Sequence, residues 1–61
     1  MESFPDLIKE DIVRLISQRG YVPINACEFY YNKHNLDLLL NMWEEGILVS
    51  RGNKVIDFEL A

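Results

Sequence analysis

Cys27 and His34 are the side chains of this sequence whose types suit a nucleophile–base pair or a metal site. A structural zinc ion needs four ligands, usually several of them cysteines, and the chain has one cysteine and one histidine. A catalytic pair also needs a pocket, for which a domain of 61 residues has little room beside its core. The sequence therefore predicts Cys27 as a small buried residue of a helix and His34 as a solvated turn residue.

The rest of the chain lacks a phosphate-binding loop, a nucleophile elbow and a calcium loop. We therefore expect a protein that is not an enzyme and that uses no cofactor or metal. The lone cysteine excludes an internal disulfide and favours a reducing compartment. Since no apolar run approaches the ~20 residues that span a bilayer, we expect no membrane span. The expected location is the cytoplasm, or the nucleus in a eukaryote.

A first helix is predicted from about Phe4 to Arg19, with Gly20 as its stop. Apolar side chains recur along it at helical spacing and predict one buried face, made of Ile8, Ile12, Leu15 and Ile16. Residues 21–24 are apolar and contain a proline, which predicts an extended edge segment or a minimal strand.

A second, short helix is predicted from an Asn25 cap to about residue 31 or 32, with Glu28 in capping-box spacing. A polar turn follows, and Asn35 is predicted to cap a third helix over Leu36–Glu45 that Gly46 ends. The predicted buried residues of these two helices are Ala26, Cys27, Phe29, Tyr30, Leu36, Leu39, Leu40 and Trp43.

The end of the chain predicts a β-hairpin. Residues 47–49 are a short apolar run, a turn follows at Gly52 and Asn53, and residues 55–60 alternate, with Ile56, Phe58 and Leu60 on one side. Because an isolated hairpin is marginal, its apolar face must lie on the helices. These elements predict a single domain over residues 1–61, mainly α with a small β-hairpin (α+β).

The order helix, helix, helix, hairpin resembles that of the winged-helix superfamily. The resemblance covers Ile8 to Leu60 and depends above all on the passage Leu39-Leu40-x-x-Trp43-Glu44-Glu45-Gly46-Ile47-Leu48-Val49. It implies a three-helix bundle with a C-terminal two-stranded wing. It also implies one of two uses, since many members bind DNA through the third helix and the wing and many others are protein–protein modules of larger assemblies.

The third helix distinguishes these uses. Base and phosphate contacts favour Arg, Lys, Asn or Gln, and among the outward positions only Asn41 qualifies, the others being Asp37, Leu38, Glu44 and Glu45. The whole chain has ten acidic and six basic residues and a formal net charge of −4. Acidic side chains near phosphates are repelled. We therefore predict a non-catalytic winged-helix module that binds another protein or peptide in an intracellular assembly.

Candidate residues for protein binding are apolar side chains without an obvious inward place, together with outer residues of the hairpin: Leu38, Tyr31, Val55, Asp57 and Glu59. Leu7, Val13 and Tyr30 are further apolar residues without an obvious inward place, which we call surplus apolar residues. The alternative is that these residues simply thicken the core. The predicted surface is the outer edge of the hairpin, where a partner peptide can add a strand, or the groove between the hairpin and the first helix.

The alternative function is a small DNA-binding regulator, with contacts from Lys33, His34, Asn41, Arg51 and Lys54. A homodimer through the first helix would bring two such basic patches together. A third alternative is that the chain is a domain of a longer protein whose function lies elsewhere.

Overall fold

The computed structural model describes residues 4–52 and 57–61, and these residues form three helices and three strands. In chain order they are α1 (Lys9–Arg19), β1 (Val22–Pro23), α2 (Cys27–Tyr30), α3 (Lys33–Glu44), β2 (Leu48–Ser50) and β3 (Asp57–Leu60). In this part of the chain the strands form one antiparallel sheet in the order β1-β3-β2. The predicted α+β class is confirmed. The sheet has one strand more than the predicted wing, because the segment before α2 pairs with β3.

Helix α1 begins at Lys9, so the predicted start near Phe4 is wrong. Ile8 precedes the helix with extended backbone and donates its N–H to the Asp11 carboxylate at 3.0 Å, which is half of a capping box. Residues 4–8 stay outside the helix because side chains of the α3 region hold their backbone groups. Ile8 is consequently exposed rather than part of the buried face.

Both predicted glycine stops are confirmed. Gly20 has a φ of +89° and donates its N–H to the Ile16 carbonyl at 2.6 Å. Gly46 has a φ of +84° and donates its N–H to the Trp43 carbonyl at 3.1 Å. Positive φ is open to glycine and costly for other residues, so each glycine reverses the chain direction directly after a helix.

Helix α2 is a single turn that begins at Cys27, without the predicted Asn25 cap. Ala26 precedes it and donates its N–H to the Pro23 carbonyl at 3.1 Å, which ties the start of the helix to β1. The Glu28 carboxylate, predicted for a capping box, instead forms an ion pair with α1 at 3.0 Å.

Only one side of α2 faces the core. Phe29 is fully buried as predicted, whereas Tyr30 and Cys27 are exposed. The prediction of a buried Cys27 is wrong, because a helix of one turn directs few of its side chains to the same side.

Helix α3 begins at Lys33 and is capped by Asn32, whose side-chain oxygen accepts the N–H of Asn35 at 3.2 Å. The predicted cap, Asn35, therefore lies inside the helix, where it is fully buried. His34 is exposed as predicted, but it belongs to the first turn of the helix.

The buried face of α3 is Asn35, Leu39 and Met42. Leu36 and Leu40 lie at its margins, half-buried. The sequence also predicts a fully buried Trp43, and this prediction is wrong: the side chain is 36% exposed, with its ring centroid 5.8 Å from that of Phe58. Its neighbour Met42 is the residue that faces the core and is fully buried. One residue along a helix corresponds to a rotation of about 100°, so Trp43 points to the side of the buried face.

In the described residues the hydrophobic core draws on every helix and strand and comprises Ile12, Ile16, Val22, Phe29, Leu39, Met42, Leu48 and Phe58. Ile56, also predicted to face inward, lies outside them. Leu7, Val13 and Leu38 pack against this core, half-buried. The alternative that the surplus apolar side chains thicken the core thus holds for these three residues, whereas Tyr30 and Tyr31 are exposed and Val55 lies outside the described residues. None of the helices in the described ranges is long and apolar enough to cross a membrane.

Candidate functional site

The segment before α1 is held against α3 by one buried asparagine. Asn35 accepts the N–H of Leu7 at 2.7 Å and donates to the carbonyls of Pro5 at 3.0 Å and Glu28 at 2.9 Å. Its amide thus satisfies backbone groups from two separate parts of the chain, and no buried side-chain N or O atom of the described residues lacks a hydrogen-bond partner. A buried polar group that is fully satisfied in this way fixes one arrangement of the segments around it.

Two further side chains at the start of α3 hold the same segment. The Asn32 amide donates to the Phe4 carbonyl at 2.6 Å and to the Asp6 carboxylate at 3.0 Å. The His34 Nε2 atom lies 3.3 Å from the Leu7 carbonyl oxygen. We call residues 4–8 the N-terminal strap. Its position determines where the Phe4 ring lies.

Phe4, Tyr30 and Tyr31 form an aromatic cluster beside the strap. The Phe4 and Tyr31 rings are stacked with centroids 6.4 Å apart, and the Tyr30 and Tyr31 rings meet edge to face at 4.9 Å. Tyr30 is 70% exposed and Tyr31 is 49% exposed, although each ring has an aromatic neighbour. Large aromatic side chains that are ordered yet open to solvent are typical of protein-binding surfaces.

The described sheet has two outer edges, and the β1 edge is closed. Pro23 has no N–H to offer to a further strand. Its carbonyl already accepts the Ala26 N–H, so it is not free for pairing either. A further strand therefore has little to bind at this edge.

The β2 edge, although it is an outer edge of the described sheet, is largely covered, since Leu48 as a whole residue is 1% exposed and Ser50 is half-buried. Arg51 donates its N–H to the Asp57 carbonyl at 2.8 Å, and Ala61 donates to the Ile47 carbonyl at 3.0 Å. Because hydrogen-bonded pairs alternate along an antiparallel ladder, these two bonds direct the backbone groups of residues 47, 49 and 51 towards β3. The N–H and C=O groups of Leu48 and Ser50 therefore point away from β3.

The face of the sheet opposite the core, which we call the outer face, combines acidic and apolar side chains. Val49 is 41% exposed and lies opposite the half-buried Glu59, and Asp57 occupies the preceding outer position of β3. The Arg51 guanidinium lies 4.4 Å from the centre of the Tyr21 ring, a cation–π contact across β3. Among the residues that the structure describes, two carboxylates and one guanidinium thus share this face.

The described residues predicted for DNA binding lie on α3 and directly after β2. Lys33 and His34 are exposed in the first turn of α3, next to the N-terminal strap. Asn41 is exposed further along the same helix, and Arg51 lies on the Tyr21 ring. Lys54 lies outside the described residues.

The residues predicted for protein binding fall into three places. Leu38 packs against the core, Tyr31 belongs to the aromatic cluster, and Asp57 and Glu59 belong to the outer face of the sheet. Val55 lies outside the described residues. In the part of the chain that the structure describes, no hydrogen bond, ion pair or ring contact joins Tyr31 to the two carboxylates.

Sequence reasoning missed Asn35 and Val49 as parts of these surfaces. Asn35 looked like a helix cap, although Asn32 is also a capping residue, and the three-residue spacing of the two asparagines matches a cap at the first of them. The sequence predicts Val49 in the hairpin but not the face of the sheet on which it lies. The only available signal was its position between two residues that face inward.

Clefts and metal-ligating clusters give no other candidate. The described residues enclose no pocket. Among them there is no group of three or more His, Cys, Asp or Glu side chains that could hold a metal ion. Comparison of the chain with protein-family models, curated proteins and solved structures finds no match.

Proposed function

We propose that this chain is a non-catalytic winged-helix module that binds another protein within a larger assembly. The winged-helix arrangement is supported by the order of the elements, with three helices before the hairpin strands in the described residues. It is also supported by the contact between the Trp43 ring of α3 and the Phe58 ring of β3, which joins the third helix to the hairpin.

The observation that carries the proposal is the exposed aromatic cluster. Tyrosine combines a large apolar ring with a hydroxyl group and loses little conformational entropy on binding, which is why it is enriched at the centres of protein interfaces. Tyr31 is flanked by Phe4 and Tyr30, so its ring is already ordered before a partner arrives. Ordering before binding lowers the entropic cost of association.

The exposed positions of α3 favour a protein over DNA. Asp37 and Glu44 are exposed on this helix, beside two exposed residues suited to contact a base edge, Lys33 in the first turn and Asn41. Glu45 follows the helix and forms an ion pair with Lys9 at 3.0 Å. With the pairs of Arg14 and Arg19, three of the six basic residues are already paired with a carboxylate. A helix with this charge repels phosphates.

The test compares the proteins retained by the wild-type chain with those retained by a double variant, Tyr30→Ser with Tyr31→Ser. The immobilised chains are incubated with a lysate of cells that express the protein, and the retained proteins are quantified by mass spectrometry. A matched control replaces two exposed residues of α3, Asp37→Ser with Asn41→Ser. Circular dichroism verifies that all three chains are folded.

We expect at least one protein that the wild type and the α3 control retain and the tyrosine variant loses. A parallel titration with labelled random-sequence duplex DNA, from low to physiological salt, tests the DNA-binding alternative. DNA binding that weakens steeply with salt, without any tyrosine-dependent protein partner, would refute the proposed function.

A further inference from the structure

We infer that the N-terminal strap occupies a peptide-binding site at the start of α3, and that an extended segment of the partner protein exchanges with residues 4–7 there. We call the place lined by Asn32, His34 and Asn35 the strap site. It serves the protein-interaction function proposed above, on which the inference rests, and it defines the chemistry of the partner. The incoming segment places an aromatic ring of its own on Tyr31, where the Phe4 ring lies in this structure.

The strap is bound mainly through its backbone. Among the described residues, three side chains at the start of α3 contact four backbone groups of residues 4–7. These contacts are those of Asn32 with the Phe4 carbonyl at 2.6 Å, of Asn35 with the Pro5 carbonyl at 3.0 Å and the Leu7 N–H at 2.7 Å, and of His34 with the Leu7 carbonyl at 3.3 Å. Backbone N–H and C=O groups are common to all segments, so another segment with the same course can form the same contacts.

The strap site is held in shape by bonds that do not involve the strap. The Asn35 amide also donates to the Glu28 carbonyl at 2.9 Å, and the Asn32 side-chain oxygen accepts the Asn35 N–H at 3.2 Å. Both amides therefore stay directed at the strap site when the strap leaves. Binding groups that are ordered in advance lower the entropic cost of association.

The strap can leave its site without breaking the core or α1. The eight fully buried core residues of the described chain all lie outside the strap. Within the strap, Phe4 and Leu7 are half-buried and the other three residues are exposed. Directly before α1, the Ile8 N–H donates to the Asp11 carboxylate at 3.0 Å, which caps the helix independently of residues 4–7. A segment with so few buried apolar contacts opens at a lower free energy than the whole domain.

The side chains of the strap show which sequence the site accepts. The Phe4 ring stacks on Tyr31, and Leu7 packs half-buried against the core. Pro5 gives the site a carbonyl and has no N–H to satisfy, and it keeps the residue before it extended. The Asp6 carboxylate accepts the side-chain amide of the α3 cap at 3.0 Å. The partner segment is therefore an aromatic residue, proline, aspartate or asparagine, and an aliphatic residue, in that order.

The experiment titrates the ¹⁵N-labelled full chain with an acetylated and amidated peptide FPDL, a copy of residues 4–7. A control peptide contains N-methyl-leucine, which keeps the side chain and lacks the N–H that Asn35 accepts. We expect FPDL to speed hydrogen exchange at the Leu7 amide of the chain and to shift its signal to the position of an unbonded amide. The Asn35 side-chain signals and the protection of the Ile16 and Leu39 amides should not change. The N-methyl peptide should need at least about tenfold higher concentrations.

A pair of strap variants separates exchange from binding elsewhere on the surface. The tethered strap competes with the peptide at an effective concentration of about 1 mM, so a weaker strap should let the peptide bind more tightly. Leu7→Ala removes a half-buried contact of the strap, and Ile8→Ala makes a similar truncation at an exposed position outside the exchanged segment. Fluorescence anisotropy of a dye-labelled FPDL peptide measures the affinity. We expect Leu7→Ala to strengthen binding about tenfold and Ile8→Ala to change it less than about threefold.

Four results would overturn the inference. They are a Leu7 amide that FPDL leaves unchanged, equal binding of the N-methyl peptide, peptide binding that Leu7→Ala does not strengthen, and a dimer that forms at high protein concentration and dissociates in Leu7→Ala. The last would assign the strap site to the strap of a second copy. If the peptide fails while a tyrosine-dependent partner is found, the strap site falls and the proposed function stands. If the peptide displaces the strap and no such partner is found, the strap site stands and the proposed function falls.

Discussion

Replacement of Asn35 by alanine removes three hydrogen bonds at once, those to the Leu7 N–H and to the Pro5 and Glu28 carbonyls. A neutral hydrogen bond contributes about 1 kcal/mol net to stability, so we expect Asn35→Ala to lower the free energy of unfolding by about 3 kcal/mol. At about 0.05–0.15 kcal/mol per residue, a domain of 61 residues has a total stability of about 3–9 kcal/mol. The loss is therefore at least a third of the total.

The measurement is urea denaturation followed by the fluorescence of the single tryptophan, Trp43, and by circular dichroism. The thermal midpoint should fall by about 12–24 °C, since 1 kcal/mol corresponds to about 4–8 °C in domains of this size. Asn35→Asp keeps the shape of the side chain but places a carboxylate oxygen next to the Pro5 and Glu28 carbonyls, which then lack a donor. It should be at least as destabilising as alanine.

The control is Asn41→Ala, on the same helix, where the side chain is exposed and makes no hydrogen bond within the described part of the chain. Alanine is the better helix former, so this change should leave the stability equal or raise it by at most about 0.5 kcal/mol. A loss below about 1 kcal/mol for Asn35→Ala would refute the reasoning, because it would mean that the strap rehydrates freely when the asparagine is gone.

Three other substitutions or reactions test the rest of the fold. Trp43→Ala should lower the free energy of unfolding by about 2 kcal/mol, because the residue is 36% exposed and a fully buried aromatic loses about 3–5 kcal/mol. A loss above about 4 kcal/mol in a denaturant titration would contradict that exposure. Gly20→Ala should lower the free energy of unfolding by about 1–2 kcal/mol, because alanine is strained at a φ of +89° even though its Cβ meets no atom within 4 Å. An unchanged melting temperature would count against the positive φ. The exposed Cys27 thiol should react with a soluble disulfide reagent in native buffer, and reaction only after denaturation would mean that the thiol is covered.

The sequence correctly predicts the features of this fold that depend on a single residue or on neighbours in the chain. Gly20 and Gly46 end helices because positive φ is a property of the residue itself. The alternation around Phe58 predicts a strand with that ring inward, and the ring is fully buried. Pro23 predicts an edge, and β1 is an edge strand of the described sheet. None of these features requires knowledge of which distant segment lies nearby.

The errors have a common cause in contacts between residues far apart in the sequence. The start of α1 at Lys9 depends on Asn35, which is 28 residues from the Leu7 N–H that it accepts. An asparagine near a helix start has the same local signature whether it caps the helix or is buried and satisfied by a distant backbone. The central position of β3 likewise follows from its pairing with β1, which the pattern of the hairpin alone does not contain.

The same long-range contacts connect the core to the aromatic surface. Asn35 holds the strap at Leu7 and Pro5, Asn32 holds it at the Phe4 carbonyl, and the Phe4 ring stacks on Tyr31. A small domain has few apolar contacts with which to order a segment of five residues, and side-chain amides bonded to its backbone do so with definite geometry. The buried asparagine therefore serves two purposes: it fixes the strap in the folded state, and through the strap it orders the exposed ring to which we assign partner binding.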